Sequence, residues 1–344
     1  MSAPPRRSAA RRSAVATASR GGVYYYAGGT ICGLANARRW QSGLRCVAEP
    51  SGGSIDNLRA LRTGAVQFAI VQSDWQQAAA AGTGPFEGFG PDRELRSVLS
   101  LFPEPFTVVA RPQSGIVRLS DLAGKRVNIG PAGSGSRATA EVVLEAMGWS
   151  GGDFAHLSDL GWLDLPTELC EGEIDAALVI IAHPNLLVEE MMSACGAVLV
   201  PAEAEDLRAL VDAHPAYFPY SIPAGTYPGQ AAPVPGFALA AGLVTSSRVP
   251  PRVVRDLVGA ISGNLPEFRA RHPAFSEFGA EQMLGEGMSA PLYPGIRGYL
   301  EETGLLPVPA NRAAGGRARR RPAGCPQSCT LARPAAPGRH WTSR

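Results

Sequence analysis

The chain has 344 residues, a length that favours two compact units over one. Hydrophobic residues make up 45% of it and charged residues 18%, which excludes a disordered polyelectrolyte and a coiled coil. No apolar run approaches the roughly 20 residues of a membrane-spanning helix, because the best stretch, residues 176–181, is soon broken by His183 and Pro184.

The charged residues are unevenly distributed along the chain. Residues 1–20 and 311–344 hold 13 of the 32 basic residues and no acidic residue. All 30 acidic residues lie between these ends with only 19 basic ones, so the middle of the chain is acidic. Domains that bind nucleic acid concentrate Lys and Arg on the face that meets phosphate. A nucleic-acid partner is therefore not expected.

Residues 1–12 have the positive start of a secretory signal. They lack the apolar segment of roughly 7 to 15 residues that such a signal needs. We interpret them as the remnant of a leader or as a misassigned start.

Residues 13–74 have the rhythm of βα units. The predicted elements are a strand over 13–19, a helix over 27–39, a helix that ends at Arg62 and a buried strand over 66–71. Ser51 or Ser54 can cap the second helix, and Gly64 is expected to end it in a left-handed turn. Gln72 and Ser73 follow the last strand at its carboxyl end, where open α/β sheets bind ligands.

A turn rich in glycine and serine follows a predicted strand over 126–129. The turn leads into a helix that opens near Arg137. The hydroxyls of Ser134, Ser136 and Thr139 and the free N–H groups of that helix can hold an anion. The spacing is neither GxxxxGK[ST] nor GxGxxG, so nucleotide binding is not predicted. A plain strand-to-helix turn with a serine cap is the alternative.

A second unit of helix, glycine and strand is predicted further along the chain. It consists of a helix over 164–171, Gly172 as its stop, and a strand over 174–181 that is followed by His183. The pattern repeats that of residues 62–73. Two α/β lobes are therefore expected, with the polar residues after each strand facing a common cleft.

Two further expectations concern the end of the chain and the cysteines. Residues 307–344 are rich in Arg, Pro and Ala and are expected to be a disordered tail. Cys325 and Cys329 lie in this tail without a second pair at metal-site spacing, so no metal site is expected. Four other cysteines are isolated in the sequence and are expected to be buried free thiols, with disulfides as the alternative: Cys32, Cys46, Cys170 and Cys195.

Six stretches match one family in order and at sensible spacing. They are GGVYYYAGG (21–29), SGGSIDNLRALRTGAVQFAIVQSD (51–74), LRSVLSLFPEPFTVVAR (95–111), LSDLAGKRVNIGPAGSGSR (119–137), GEIDAALVIIAHPN (172–185) and FPYSIPAGTYPGQ (218–230). Over roughly residues 13–306 the chain resembles the TAXI-type solute-binding proteins of tripartite ATP-independent periplasmic (TRAP) transporters.

The resemblance implies a type II periplasmic-binding-protein fold. In this α/β architecture, two lobes joined by crossing strands close on a small ligand. The crossings are expected near residues 103–108 and 222–234. Lobe one would then comprise residues 13–105 plus 226–306, and lobe two residues 106–225.

The resemblance also implies a function. A protein of this family captures a small organic acid, or an acidic or amide amino acid such as glutamate or glutamine, and delivers it to a TRAP membrane permease driven by an ion gradient. It implies a periplasmic monomer that is not an enzyme and that uses no ATP and no cofactor. A cytosolic ligand-binding sensor of the same fold, in keeping with the incomplete leader, is one alternative.

A hydrolytic enzyme is the other alternative. Ser134, Ser136 or Cys170 would then be the nucleophile, with a histidine distant in sequence as its base. No HExxH motif appears in the chain.

From the residues and the resemblance together, a set of ligand-binding side chains is expected. These are Tyr24, Tyr25, Ser54, Gln72, Ser73, Ser134, Ser136, Arg137, Thr139, His183 and Tyr227. Some roles stay open on the residues alone. Arg137 can pair with a carboxylate or lie in solvent, with Arg111 as its substitute. His183 can line the site or hold a strand end, and Trp75 can line the cleft or pack against a lobe.

Overall fold

The computed structural model describes residues 11–203 and 205–307. The strands in these ranges are β1 (Arg11–Ala16), β2 (Leu44–Glu49), β3 (Phe68–Gln72), β4 (Leu95–Ala110), β5 (Arg126–Asn128), β6 (His156–Ser158), β7 (Ala176–Ile180), β8 (Val198–Val200), β9 (Tyr217–Ile222) and β10 (Val234–Ser246). The α-helices are α1 (Val23–Ala37), α2 (Arg39–Ser42), α3 (Ser54–Thr63), α4 (Ser73–Ala81), α5 (Gly135–Ala146), α6 (Leu165–Glu171), α7 (Leu186–Cys195), α8 (Glu205–Ala213), α9 (Pro251–Ser262), α10 (Leu265–Arg269) and α11 (Ile296–Glu302).

The strands join into one mixed sheet. Its order is β2-β1-β3-β10-β4-β7-β5-β6, with β8 beside β4 and β9 beside β10. Towards either end the pairing is parallel, between β1 and its neighbours β2 and β3, and between β5 and its neighbours β6 and β7. In the centre, β10 and β4 run antiparallel to the strands beside them. This mixed sheet with its crossover helices confirms the predicted α/β class.

Two long strands connect the two ends of the sheet. β4 pairs with β10 over residues 95–105 and with β7 and β8 over residues 106–110. β10 pairs with β9 over residues 234–239 and with β3 over residues 241–245. We call the elements around β1, β2 and β3 the first lobe and those around β5, β6 and β7 the second lobe. The lobe boundaries expected from the sequence remain predictions.

Each lobe packs its sheet on both faces. In β3 the side chains of Phe68 and Ile70 join a core with α1 and α9, whereas Ala69 and Val71 join a core with α3 and α4. The strands of the second lobe divide in the same way between a core with α5 and a core with α6 and α7. This alternation follows from the period of two along a strand. Polar groups at the strand ends therefore stand on a rigid, doubly covered sheet.

The predicted bounds differ from the observed ones by the most residues in α1 and β1. Helix α1 begins at Val23 and not at residue 27, because Tyr24 buries its ring against Phe102, with 6.3 Å between the ring centroids. The three tyrosines of the glycine-rich stretch are therefore helical. Strand β1 ends at Ala16 and not at residue 19, because its parallel partner β2 ends opposite it at Glu49.

Neither serine that was expected to cap α3 does so. Gly53 occupies the capping position, and no side chain bonds to the first turn there. The Oγ of Ser51 accepts a hydrogen bond from the N–H of Gly53 instead, at 3.1 Å. The Oγ of Ser54 accepts one from the N–H of Gln72 at 3.0 Å. Ser54 is thereby tied to the end of β3.

The helix–glycine–strand unit is present in both lobes. Gly64 ends α3 at a φ of 81° and precedes β3, and Gly172 ends α6 at a φ of 83° and precedes β7. Both φ values lie in the left-handed region, which glycine adopts at little cost. The predicted helix stops at Gly64 and Gly172 are confirmed.

The expectation of free thiols is wrong for the four cysteines within the described ranges. A disulfide joins Cys32 in α1 to Cys46 in β2, and another joins Cys170 in α6 to Cys195 in α7. Each links two elements that pack directly on one another. The other two cysteines, the expected tail and residues 1–10 lie outside the described residues. In the part of the chain described, no helix has the length and apolar character needed to cross a membrane.

Candidate functional site

Polar side chains of both lobes meet where β3 ends. β3 passes at Gln72 directly into α4, whose first residues Ser73 and Asp74 are buried. From the second lobe, α5 approaches the same point. The Oγ1 of Thr139 donates to the Oδ2 of Asp74 at 2.7 Å, and the Nε1 of Trp75 donates to the carbonyl of Gly135 at 3.0 Å. The two lobes are therefore bonded to one another at the carboxyl end of a sheet strand.

The backbone of α5 lies close to side chains of the first lobe at this junction. A Cβ atom at position 135 would overlap the Oε1 of Gln72. Glycine at position 135 is therefore what lets the first turn of α5 lie against β3. Trp75, for which two roles were open, packs into the core of the first lobe and bonds across the junction as well.

Tyr24 and Glu104 form a buried pair beside this junction. The hydroxyl of Tyr24 in α1 donates to the Oε2 of Glu104 in β4 at 2.6 Å. Burial is the main cause that raises the pKa of Glu104, to about 8, while the hydrogen bond from Tyr24 acts the other way. Burial and the neighbouring Glu104 likewise raise the pKa of Tyr24.

Asp74 is the second buried carboxyl group. It accepts hydrogen bonds from the N–H of Trp75 at 2.8 Å, from Thr139 at 2.7 Å and from the hydroxyl of Tyr217 at 3.3 Å. These bonds favour the ionised form, but burial outweighs them and raises the pKa of Asp74 to about 6. The charge of Asp74 in turn helps to raise the pKa of Glu104.

Three predicted site residues, Ser54, Gln72 and Ser73, belong to the same junction. The hydroxyl of Ser54 donates to the Oε1 of Gln72 at 3.3 Å. Ser73 donates to the carbonyl of Ala216 at 2.9 Å and accepts from the N–H of Ala240 at 3.0 Å. We call Tyr24, Ser54, Gln72, Ser73, Asp74, Glu104, Thr139 and Tyr217 the junction cluster.

The serine-rich turn makes its hydrogen bonds within the protein. The Oγ of Ser134 caps α5 by accepting from the N–H of Arg137 at 3.1 Å, and the hydroxyl of Ser136 donates to the carbonyl of Ile180 at 3.3 Å. Arg137 pairs with Glu141 at 2.8 Å. In this conformation the serine cap is formed, and an anion would have to replace these partners.

Arg111, the possible substitute for Arg137, is committed to another ion pair. Its Nη2 lies 2.9 Å from the Oδ1 of Asp175, which Arg126 also contacts at 2.8 Å. Hydrogen bonds from Arg126 are the main cause that holds the pKa of Asp175 well below its usual value. Tyr25 does not join the junction cluster, because its hydroxyl accepts a hydrogen bond from Arg20 at 3.0 Å near the surface.

His183 and Tyr227 form a second buried group. The Nδ1 of His183 lies 2.5 Å from the hydroxyl of Tyr227, and its Nε2 lies 2.8 Å from the Oγ1 of Thr107. Thr107 donates to the carbonyl of Pro105, and Tyr227 accepts from the N–H of Asn185, so the partners fit a neutral ring that carries its proton on Nε2. Burial lowers the pKa of His183 to about 3. His183 thereby ties the segment that follows β7 to strand β4.

Sequence reasoning missed three members of the junction cluster. Asp74, Glu104 and Tyr217 are not among the site residues expected from the sequence. A signal for Glu104 was present, because this acidic residue stands in FPEPF, inside the long apolar run that forms β4. An acid within such a run is rare unless it has a partner or a function.

No metal centre is indicated in the described part of the chain. Its His, Cys, Asp and Glu residues nowhere form a group of three or more arranged to hold a metal ion. A cavity of about 610 Å³ lies elsewhere, beside α2 and α9, where Arg38, Arg252 and Arg255 are among its lining residues. None of the predicted site residues lines it. The junction cluster is therefore the candidate site on chemical grounds.

Comparison with known proteins supplies a family and a fold. Residues 15–304 match the model of the NMT1-like family. A solved structure from Bordetella bronchiseptica RB50 is 15% identical, with 87% of this chain and 90% of that chain covered at a TM-score of 0.50. The alkanesulfonate-binding protein SsuA from Xanthomonas axonopodis pv. citri, bound to MOPS, is 15% identical over 88% of this chain and 96% of that chain, with a TM-score of 0.45. A putative L-cystine ABC transporter from Listeria monocytogenes is 12% identical over 82% of this chain and 100% of that chain, with a TM-score of 0.45. At these identities the likeness concerns the fold alone.

Proposed function

The chain belongs to the NMT1-like family, and from this premise we propose that it is a solute-binding protein. Its two lobes would close on a small ligand at the junction cluster and open again to release it. The observation that carries the proposal is the set of polar, buried side chains that both lobes contribute at the carboxyl end of β3. Ligands of open α/β sheets bind at such strand ends.

Closure fits the way in which the lobes are connected. Two long central strands, β4 and β10, pair with strands of both lobes, so small changes along them can turn one lobe against the other. The cross-lobe bonds of Asp74 and Trp75 belong to the closed arrangement. A ligand that replaces these partners and is held by both lobes would stabilise its own closed form.

The ligand class that we propose is a small organic acid or an acidic or amide amino acid. Its carboxylate would face the N–H groups at the start of α5 and the hydroxyls of Ser134 and Ser136, in place of the present partners. Arg137 is near enough in sequence to add a charged donor. The proposed ligand-binding set remains Tyr24, Tyr25, Ser54, Gln72, Ser73, Ser134, Ser136, Arg137, Thr139, His183 and Tyr227.

The proposal also covers where the protein acts and what receives its ligand. The disulfides Cys32–Cys46 and Cys170–Cys195 support an extracytoplasmic site of action, because such bonds persist in oxidising compartments. The same bonds speak against a cytosolic sensor. We propose that the protein acts as a monomer and hands its ligand to the ion-gradient-driven membrane permease of a TRAP transporter, as the sequence resemblance implies.

Binding without catalysis fits the contacts of the possible nucleophiles. Cys170 is held in a disulfide, and the ring nitrogens of His183 contact Thr107 and Tyr227. The hydroxyls of Ser134 and Ser136 contact backbone groups and no histidine. A hydrolase would need a base beside its nucleophile.

Thermal unfolding of the full chain tests the proposal. The melting temperature would be measured with L-glutamate, L-glutamine, C4 to C6 dicarboxylates and short alkanesulfonates, and each shift would be followed by calorimetric titration. A ligand that binds only the folded state must raise the melting temperature saturably. We expect at least one carboxylate to do so, and no shift with any member of the panel would contradict the proposed ligand class.

The double variant Ser134→Ala, Ser136→Ala tests the position of the carboxylate. Loss of these hydroxyls is expected to weaken binding of the stabilising carboxylate by about 1 to 3 kcal/mol. Ser193→Ala is the matched control, because its exposed hydroxyl donates only to the carbonyl of Glu190 within its own helix. Equal affinities of the double variant and the control would remove the serine-rich turn from the site.

A further inference from the structure

The chemistry of the junction cluster narrows the ligand class. We propose that the ligand carries a protonated amino group, and that the carboxyl groups of Asp74 and Glu104 receive it. The inference rests on the proposed function, since it assigns part of the same cleft. It favours an amino acid over a plain dicarboxylate.

Both carboxyl groups are buried without a cationic partner. The side chains of Asp74 and Glu104 are 4% and 5% exposed. Glu104 accepts one hydrogen bond, from Tyr24, and Asp74 accepts three, from Trp75, Thr139 and Tyr217. None of these donors is charged, and the ion pairs found among the described residues include neither acid.

Such a pair destabilises the ligand-free protein. A buried carboxylate without a cation is costly, and the cost increases when a second one lies close enough to repel it. The two acids do interact, since the charge of Asp74 contributes to the raised pKa of Glu104. Stability alone would favour amides at these positions, which points to a ligand that supplies the missing positive charge.

An ammonium group fits the acceptors better than a metal ion or a second anion does. An ammonium group donates three hydrogen bonds, and the junction cluster offers three side-chain acceptors, which are Asp74, Glu104 and the Oε1 of Gln72. Calcium would need six to eight oxygen ligands, and no group of three acids was found among the described residues. A dicarboxylate would place a negative charge towards two acids.

Binding of the ligand is expected to change the protonation of the two acids. Burial keeps Glu104 largely protonated at pH 7, where Tyr24 and Asp74 are the titratable groups that face it. Asp74 itself is faced by Thr139 and Tyr217. An ammonium group favours the ionised carboxylates, so its binding at pH 7 should release close to one proton from Glu104.

Calorimetric titration of the full chain with matched ligands tests the inference. L-glutamate is compared with glutarate, and L-glutamine with glutaramate, because each pair differs only in the amino group. The titrations are run at pH 7 in buffers of different ionisation enthalpy, which reports the protons released. We expect the amino member of a pair to bind at least 100-fold more tightly, with proton release that its partner does not show.

The variants Glu104→Gln and Asp74→Asn give a second readout that does not depend on one substitution folding well. Each keeps the shape of the side chain and removes the charge, so the preference for the amino member should fall at least tenfold. Asp56→Asn is the control, because Asp56 is an exposed acid on α3 that pairs with Arg59. Its preference should equal that of the natural protein.

The outcomes separate the inference from the function on which it rests. Equal affinity within each pair, with no loss of preference in either variant, would overturn the amino-group inference and leave solute capture in place. Stabilisation by sodium or calcium chloride in place of the amino compounds would overturn it as well. No saturable binding of any of the four compounds would count against both.

Discussion

Two buried titratable residues, Glu104 in β4 and His183 beside that strand, respond to burial in opposite ways. Burial disfavours the charged form, so it lowers the pKa of His183 to about 3 and raises the pKa of Glu104 to about 8. His183 is therefore neutral over the physiological range and acts through its hydrogen bonds to Thr107 and Tyr227. The carboxyl group of Glu104 changes its charge near neutral pH, so a bound ligand can shift its protonation.

The neutral state of His183 predicts a pH dependence of stability. The unfolded chain binds a proton at this residue below a pH of about 6.5, whereas the folded chain does so only near 3. The free energy of unfolding should therefore fall as the pH is lowered from 6.5 to 3, by at most about 1.4 kcal/mol per pH unit.

Urea unfolding of the natural protein and of His183→Gln at several pH values measures this contribution. The difference in unfolding free energy between the two proteins should favour the natural protein less as the pH falls. His156→Gln is the control, since His156 is exposed at the end of the described sheet. A difference that is constant between pH 6.5 and 4 would show that His183 is not buried in its neutral form.

At the scale of elements, the helix–glycine–strand unit occurs twice, before β3 and before β7. Gly64 and Gly172 have nearly the same φ but different surroundings. A Cβ at Gly64 would meet nothing within 4 Å, whereas a Cβ at Gly172 would overlap the Nη1 of Arg111. That guanidinium group is bonded to Asp175, which also holds Arg126 at the start of β5.

The two glycines therefore form a matched pair for substitution. Gly64→Ala should cost about 1 to 2 kcal/mol of unfolding free energy, which is the penalty of the left-handed conformation. Gly172→Ala should cost more, because it also displaces Arg111 from its ion pair. Chemical denaturation of both variants provides the comparison, and an equal cost would show that the Arg111 contact contributes nothing.

Local pattern predicted much of the architecture. The strands β3 and β7 and the helix stops at Gly64 and Gly172 were predictable, because apolar runs and left-handed glycines act within a few residues. Contacts distant in sequence were not. The start of α1 depends on Tyr24 packing against Phe102, and the disulfides join cysteines 14 and 25 residues apart whose pairing no spacing rule encodes.

The candidate site was predictable in part for the same reason. Gln72 and Ser73 follow a strand, and Thr139 lies in a helix that opens after a glycine-rich turn, so their places could be read from the sequence. Glu104 becomes a site residue only because β4 is buried between β10 and β7 and passes Tyr24 of α1. No local pattern reports such an encounter.

At the scale of the whole molecule, the proposed function requires one movement. In it, the two rigid lobes close by turning about β4 and β10. Each lobe has its own cores on both faces of the sheet. The contacts between lobes that a ligand would replace are the few polar ones at the junction cluster. Cores resist deformation more than hydrogen bonds at an interface do. Ligand binding should therefore change the junction and leave the lobe cores as they are.

Hydrogen–deuterium exchange of the full chain tests this central claim most directly. Exchange would be followed by mass spectrometry with and without the compound that raises the melting temperature most. We predict that the ligand slows exchange together in residues 72–76 of the first lobe and 134–139 of the second, while residues 251–262 of α9 are unchanged. Slower exchange in only one of the two junction segments, or in neither, would contradict a ligand site formed by closure of the lobes.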